Sequence, residues 1–203
     1  MKVLIACEES GAVRDQFLKQ GHDAVSLDLL PTSSPGPHRQ EPLTAEILAE
    51  SWNLIVAFPP CTDLSAIGAS TWKRKQADGS QQAAYEFVRS IYDSGVSKVC
   101  IENPAGWMNT HWRKPDQIVN PWNFGDPFKK RTCLWLKGLP KLKIEFETIP
   151  DEVDYWVTGQ RRSSGANKAF VQGEKTHYKA TNKAFHRSKT FPGIARAMAE
   201  AWG

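Results

Sequence analysis

Residues 2–30 read KVLIACEESGAVRDQFLKQGHDAVSLDLL, and the way apolar residues recur in them decides the architecture. KVLIAC is an apolar run of strand length. In ESGAVRDQFLKQGH, Val13, Phe17 and Leu18 fall on one helical face before Gly21 stops the pattern. DAVSLDLL is a second strand. A strand, a helix and a strand in such close succession imply a parallel pair with a right-handed crossover.

The alternation continues downstream. Pro31 to Pro37 form a loop, LTAEILAESW (43–52) a short helix and NLIVAF (53–58) a strand. Asp78 stands where it caps a helix over GSQQAAYEFVRSIYDSG (79–95), in which Ala84, Phe87, Val88 and Ile91 share one face. SKVCIEN (97–103) is a further strand. Beyond Pro104 the pattern weakens, and the stretch 106–127, with Trp107, Trp112 and Trp122, reads as a loop layer over the sheet. RTCLWLKGL (131–139) and KIEFETI (143–149) read as strands, and PGIARAMAEAWG (192–203) as a terminal helix. These elements predict an α/β fold: one domain of 203 residues around an open, mostly parallel, Rossmann-like sheet with helices on both faces.

Composition narrows the function classes. MKVLIACEES is too short an apolar run for a signal peptide or a membrane span, so a cytoplasmic protein without membrane contact is expected. Cys7, Cys61, Cys100 and Cys133 are far apart, with no Cys-x-x-Cys pair and no histidines at ligand spacing. Neither a metal site nor a disulfide framework is supported by that spacing. The formal net charge is +4, and between Gly159 and Lys189 eight Lys and Arg residues face Glu174 alone. That stretch admits two readings, a solvated basic loop or a track for phosphates.

Ligands of an open parallel sheet bind beyond the carboxyl ends of its strands. The first strand is followed there by Cys7-Glu8-Glu9-Ser10-Gly11, the second by Asp28, the third by Pro59-Pro60-Cys61 and the fourth by Glu102-Asn103-Pro104. Asp28 suits the hydroxyls of a ribose, or else is an ordinary loop aspartate. A single glycine at Ser10-Gly11 lacks the fingerprint of a dinucleotide pyrophosphate, so a nucleoside fits better. Two prolines stiffen the chain before Cys61 and hold its thiol at the edge, where a helix N-terminus and basic groups favour the thiolate over a free thiol of pKa about 8.5. Cys100 and Cys133, inside apolar strands, read as inert, and Cys7 as a residue lining a pocket. Glu102 either joins Cys61 as a proton-handling carboxyl group or caps the Pro104 turn.

With Pro59-Pro60-Cys61 after one strand and Glu102-Asn103 after the next, the chain resembles the cytosine-5 DNA methyltransferases, and most of its length takes part. FGDPFKKRTCLWL (124–136) and the helix from Gly193 are similar to the family's later motifs, and the compactness is like that of short members encoded by phages and prophages. The resemblance implies S-adenosyl-L-methionine as cofactor, bound by Cys7, Glu8, Ser10, Gly11, Asp28 and Pro59. It implies Cys61 as nucleophile at C6 of cytosine, Glu102 as the group at N3 and Arg131 as a cationic partner. Asn103, Lys130, Arg161, Arg162, Arg187 and Lys189 would then meet DNA, the expected partner.

The chain also departs from that pattern. Ala6-Cys7-Glu8-Glu9-Ser10-Gly11 replaces the Phe-x-Gly-x-Gly turn, Thr62 stands for the glutamine after the nucleophile, Phe128 replaces a glutamine, and Arg187-Ser188 replaces Gly-Asn. Residues 141–190 form a small basic, irregular insertion where larger members carry a target-recognition domain. Two other readings stay open: the same chemistry on a free cytosine nucleotide or with another transferred group, and a nucleic-acid-binding decoy without catalysis.

Overall fold

The structure is a computed structural model that describes residues 1–149 and 190–203. Seven strands form one mixed, mostly parallel sheet: β1 (Lys2–Ala6), β2 (Asp23–Asp28), β3 (His38–Gln40), β4 (Leu54–Ala57), β5 (Val99–Pro104), β6 (Gln117–Val119) and β7 (Thr132–Lys137). Their order is β3-β2-β1-β4-β5-β7-β6, with β7 antiparallel to both of its neighbours and the other pairings parallel. The order reverses between β1 and β4, so the crevice of an open α/β sheet lies at the carboxyl ends of those two strands.

Alternation along the strands builds two cores. Val3 and Ile5 of β1 and Leu54 and Val56 of β4 face one side, against α1 (Ala12–Lys19) and α6 (Pro192–Trp202). Leu4, Ala6, Ile55 and Ala57 face the other, against α2 (Ala45–Leu48), α4 (Ser80–Tyr92) and α5 (Met108–His111). Both faces are buried, which explains why β1 and β4 read as continuous apolar runs instead of alternating ones. Phe17 and Trp202 are almost fully enclosed where α1 meets α6, each burial contributing about 1.5–3 kcal/mol. At the start of α6 a Cβ on Gly193 would meet Asp126 Oδ2 at 2.7 Å, so this glycine sets how closely the helix approaches the sheet end.

Some elements differ from the sequence reading. LTAEILAESW yields only the four-residue α2, because the Trp52 indole donates to the Ile47 carbonyl at 2.6 Å and Asn53 already pairs with Lys2 beside β1. β6, three residues long, lies in the stretch read as a loop layer, and the equally short β3 in residues to which the sequence reading gave no element. KIEFETI is not a strand. Gln117 brackets Leu142 just before it with bonds of 2.9 and 2.8 Å, and Asn123 holds the segment itself: its carbonyl accepts from Glu145 N at 3.0 Å and Phe146 N at 3.2 Å, and its Nδ2 donates to the Phe146 carbonyl at 2.8 Å. A six-residue 3₁₀ turn (Ala66–Thr71) and α3 (Trp72–Ala77) follow the Cys61 turn, in a region where no element was predicted. Trp107 and Trp112 pack against the second of these cores, Trp122 is buried, and Trp135 is fully buried and stacked on Trp112 at 6.1 Å.

Among the described residues no helix is long and apolar enough to cross a membrane, and no group of His, Cys, Asp and Glu side chains is placed to hold a metal ion.

Candidate active site at the carboxyl edge of the sheet

Register brings the expected residues into one row. Ala6 pairs with Leu27 on one side and Ala57 on the other, and Ala57 pairs with Ile101. One residue further along, Asp28, Cys7, Phe58 and Glu102 therefore follow one another across the edge. The row continues the ladder: Glu8 N donates to Leu27 O at 3.1 Å and Phe58 N to Ala6 O at 2.9 Å.

The turn after β4 is held at almost every carbonyl. Asn103, 1% exposed, donates from Nδ2 to the Pro59 carbonyl at 2.9 Å, tying the end of β5 to the proline pair. The Cys61 carbonyl accepts from Leu64 N at 3.1 Å and Ser65 N at 2.9 Å. Lys75 Nζ reaches the Thr62 carbonyl at 2.5 Å, and Gln81 Nε2 the Asp63 carbonyl at 3.0 Å. A further clasp joins Ser65 and Gly106 in an antiparallel bridge, with Trp107 N on Leu64 O at 2.7 Å and Ala66 N on Ala105 O at 3.0 Å. A Cβ on Gly106 would run into the Leu64 carbonyl, so only glycine lets the loop after β5 lie so close to the turn. On this scaffold the Cys61 thiol is reduced and exposed, whereas Cys100 and Cys133 are buried.

Glu102 sits beside that turn. Its Oε1 is buried and receives no hydrogen bond from the described residues, while Lys130 Nζ lies 3.9 Å away as an ion pair. A buried acceptor without a donor is uncommon and points to a donor supplied from elsewhere. Phe58, Glu102, Lys130, Thr132, Thr190, Phe191 and Ile194 enclose a recess here of about 10 Å³, room for one water molecule. Phe191 belongs to the approach to α6 and packs on Phe128, ring centroids 5.0 Å apart.

The turn after β1 is built differently. Cys7 has a left-handed backbone, φ 58, which favours glycine and costs about 1 kcal/mol or more in other residues. Burial, with the Asp28 charge adding to it, pushes its thiol up to about 12, so Cys7 stays neutral and lines the crevice. Glu8 is 4% exposed and caps α1: its carboxylate accepts from Val13 N at 2.7 Å, Arg14 N at 3.4 Å and the Ser10 hydroxyl at 3.3 Å. Burial raises its pKa to about 7 against the pull of those bonds. With the first amides of α1 taken, a pyrophosphate has no seat at that helix terminus. Asp28 accepts from Leu30 N at 2.9 Å through Oδ1, which leaves Oδ2 for a hydroxyl donor.

Arg14 is one residue that sequence reading missed. Fully buried, it spreads its guanidinium over the Ser26 and Thr32 hydroxyls and the Ser34 and Pro35 carbonyls at 3.0–3.3 Å, with Asp15 as its ion-pair partner at 2.8 Å. It thereby fixes the loop that follows Asp28. A Cβ on Gly36 would stand 2.7 Å from its Cζ, which explains the glycine among three prolines, where the turn composition alone gave no hint of a buried cation.

The structure brings together Cys7, Glu8, Ser10, Gly11, Asp28, Pro59, Cys61, Glu102, Asn103 and Lys130 at this edge. Asn103 serves the turn from within, where it was expected at nucleic acid. Lys130 is the cation that faces Glu102, while Arg131 is exposed beside it. Arg161, Arg162, Arg187 and Lys189 lie outside the described residues. Compared with known proteins, the chain matches no family model and no curated sequence.

Proposed function

We propose that this protein methylates C5 of cytosine in DNA, using S-adenosyl-L-methionine and a covalent adduct on Cys61. The observation that carries the reading is an exposed thiol on a braced turn beside Glu102, whose buried Oε1 awaits a donor. The strand order supports a methyltransferase-like sheet, since β3-β2-β1-β4-β5 is the doubly wound arrangement that binds nucleosides at its switch point.

In this reading the carboxyl ends of β1 and β2 would take the cofactor. Glu8 already fills the helix terminus where a pyrophosphate would go, so a nucleoside without phosphates is favoured. Asp28 would hold the ribose hydroxyls, with Cys7 and Pro59 as walls and Ser10 and Gly11 shaping the turn. When bound, S-adenosyl-L-methionine supplies a methyl group on a sulfonium centre. The chain's own residues act on the base. The Cys61 thiolate forms a bond to C6 while Glu102 holds a proton at N3, and the electron pair displaced from the C5–C6 double bond makes C5 nucleophilic. C5 would take the methyl group as the sulfonium leaves as a neutral thioether, and loss of the C5 proton to solvent would then restore the double bond, expel the Cys61 thiolate and return the N3 proton to Glu102. In a duplex the target base must first leave the stack. Lys130 and Arg131 would meet phosphates, and the 159–189 stretch would add to them.

Covalent trapping tests the reading. DNA containing 5-fluorocytosine cannot lose its C5 substituent, so wild-type protein with cofactor should give an adduct that survives denaturation and is absent in Cys61→Ser. Cofactor binding without any adduct across varied sequences would move the substrate to a free nucleotide. Neither adduct nor cofactor binding would leave a non-catalytic nucleic-acid-binding protein.

A further inference from the structure

Lys75 is 6% exposed, and burying an ammonium group is costly unless its donors are matched. It lies in α3, fourteen positions after the thiol, and is the one residue of that helix that is buried as a whole. Its Nζ spends its donors on two adjacent residues, the Thr62 carbonyl at 2.5 Å and Asp63 Oδ1 at 3.1 Å, and these are the two residues that follow Cys61. The packing around the ammonium is close: a Cβ on Gly68 would lie 3.4 Å both from Nζ and from the Thr62 carbonyl. Gln81, 1% exposed at the start of α4, adds the Asp63 carbonyl from the same side. Apolar packing of a methionine or leucine would hold α3 against the turn as well as a buried cation does, but it would not fix the direction of two successive backbone units.

We infer that Lys75 is a positioning residue for Cys61: by binding Thr62 and Asp63 it locks the turn that sets the direction of the thiol. It touches no reacting atom. The inference rests on Cys61 being the nucleophile of the proposed reaction, yet the lock itself is measurable without that reaction.

The test pairs two readouts on the full chain, using Lys75→Met, Lys75→Arg and Asp63→Ala. Amide hydrogen exchange reports on Leu64 and Ser65, whose N–H groups bind the Cys61 carbonyl, and trapping on 5-fluorocytosine DNA reports on the thiol. In Lys75→Met, exchange at these amides should rise at least tenfold while the strands β1, β4 and β5 keep their protection. The trapping rate at saturating DNA should fall at least thirtyfold with the S-adenosyl-L-methionine Kd unchanged. Lys75→Arg should recover much of both, and Asp63→Ala, which strips one partner from a partly exposed position, should give a smaller change of the same sign if Lys75→Met does not fold. Exchange and trapping within twofold of wild type in Lys75→Met would overturn the inference. So would exchange rising evenly through the sheet, because Lys75 would then serve the fold as a whole. If wild type traps no DNA but local exchange changes as described, the lock stands and the DNA-methylation reading falls.

Discussion

Replacing Asn103 by leucine asks whether the tie between β5 and the proline turn holds the turn in place. The side chain is 1% exposed; Nδ2 donates to the Pro59 carbonyl at 2.9 Å, and Oδ1 has no partner among the described residues. Leucine has a similar volume, so two polar effects decide the outcome. The buried Pro59 carbonyl loses its donor, at a cost of about 1–3 kcal/mol, while removal of the orphan Oδ1 offsets roughly 1 kcal/mol of it. A net loss of about 1–2 kcal/mol lowers the midpoint of thermal unfolding by roughly 2–8 °C in a domain of this size. Aspartate at the same position turns an acceptor toward an acceptor in a buried site and should cost more, about 3–5 kcal/mol at pH 8. Burial raises the folded-state pKa of the introduced carboxyl above its unfolded value near 3.9. Its protonated form can donate to Pro59, so the penalty is smallest below the unfolded pKa and grows as pH rises through the folded one. Urea unfolding at pH 5 and pH 8, with 5-fluorocytosine trapping alongside, measures both effects. A leucine variant as stable and as fast as wild type, or an aspartate variant whose loss is the same at both pH values, would refute the reasoning.

Glu102→Gln should leave stability within about 1 kcal/mol, since Oε1 has no hydrogen bond to lose, yet slow trapping by roughly a hundredfold or more, the scale of a lost proton-handling group. Glu8, with a folded pKa of about 7 above an unfolded value near 4.5, contributes stability that is full below the unfolded value and is lost as pH rises through the folded one. Glu8→Gln should therefore flatten the pH dependence of urea unfolding between those values, by up to about 3 kcal/mol, and a curve unchanged in that window would count against the burial argument. Gly36→Ala, with φ +154 and a Cβ 2.7 Å from Arg14 Cζ, should cost roughly 1–3 kcal/mol in thermal unfolding. Arg14→Met should cost about 3–5 kcal/mol in the same measurement and weaken S-adenosyl-L-methionine binding by loosening the loop after Asp28.

The sheet was legible because both of its faces are covered. β1, β4 and β7 present runs such as VLIA, LIVA and CLWL, which no exposed strand would show, and the strand–helix–strand spacing of residues 2–28 fixes a parallel pair. β3 and β6 were not legible for the converse reason. Each is three residues long at an edge, His38-Arg39-Gln40 carries no apolar pattern, and Ile118 is 39% exposed. KIEFETI shows how alternation can mislead. Ile144 and Phe146 look like one strand face, but each is more than a third exposed, and the neighbouring edge is taken by β6 and the Gln117 and Asn123 side chains.

At the site, the candidate residues stood out because they end strands, and strand ends follow from period and composition. What supports them did not. Lys75, Gln81 and Arg14 all bind backbone carbonyls of loops more than ten positions away in sequence, and nothing in a lysine within WKRKQA or an arginine within AVRDQ announces burial. Such residues appear on the surface-type face of their pattern because their partners are carbonyls, which every residue carries alike. The loop carbonyls of Pro59, Thr62, Asp63, Ser34 and Pro35 have no helix or strand partner, and a buried carbonyl must find a donor. The number of donors demanded by a buried, irregular turn can thus be anticipated from sequence, but which side chain answers is set only by packing. In this protein the demand falls on the two turns that frame the crevice, after β2 and after β4. Cations and amides buried for their backbone partners therefore mark where the fold has been spent on holding a site rigid, even where no side chain in that turn reacts.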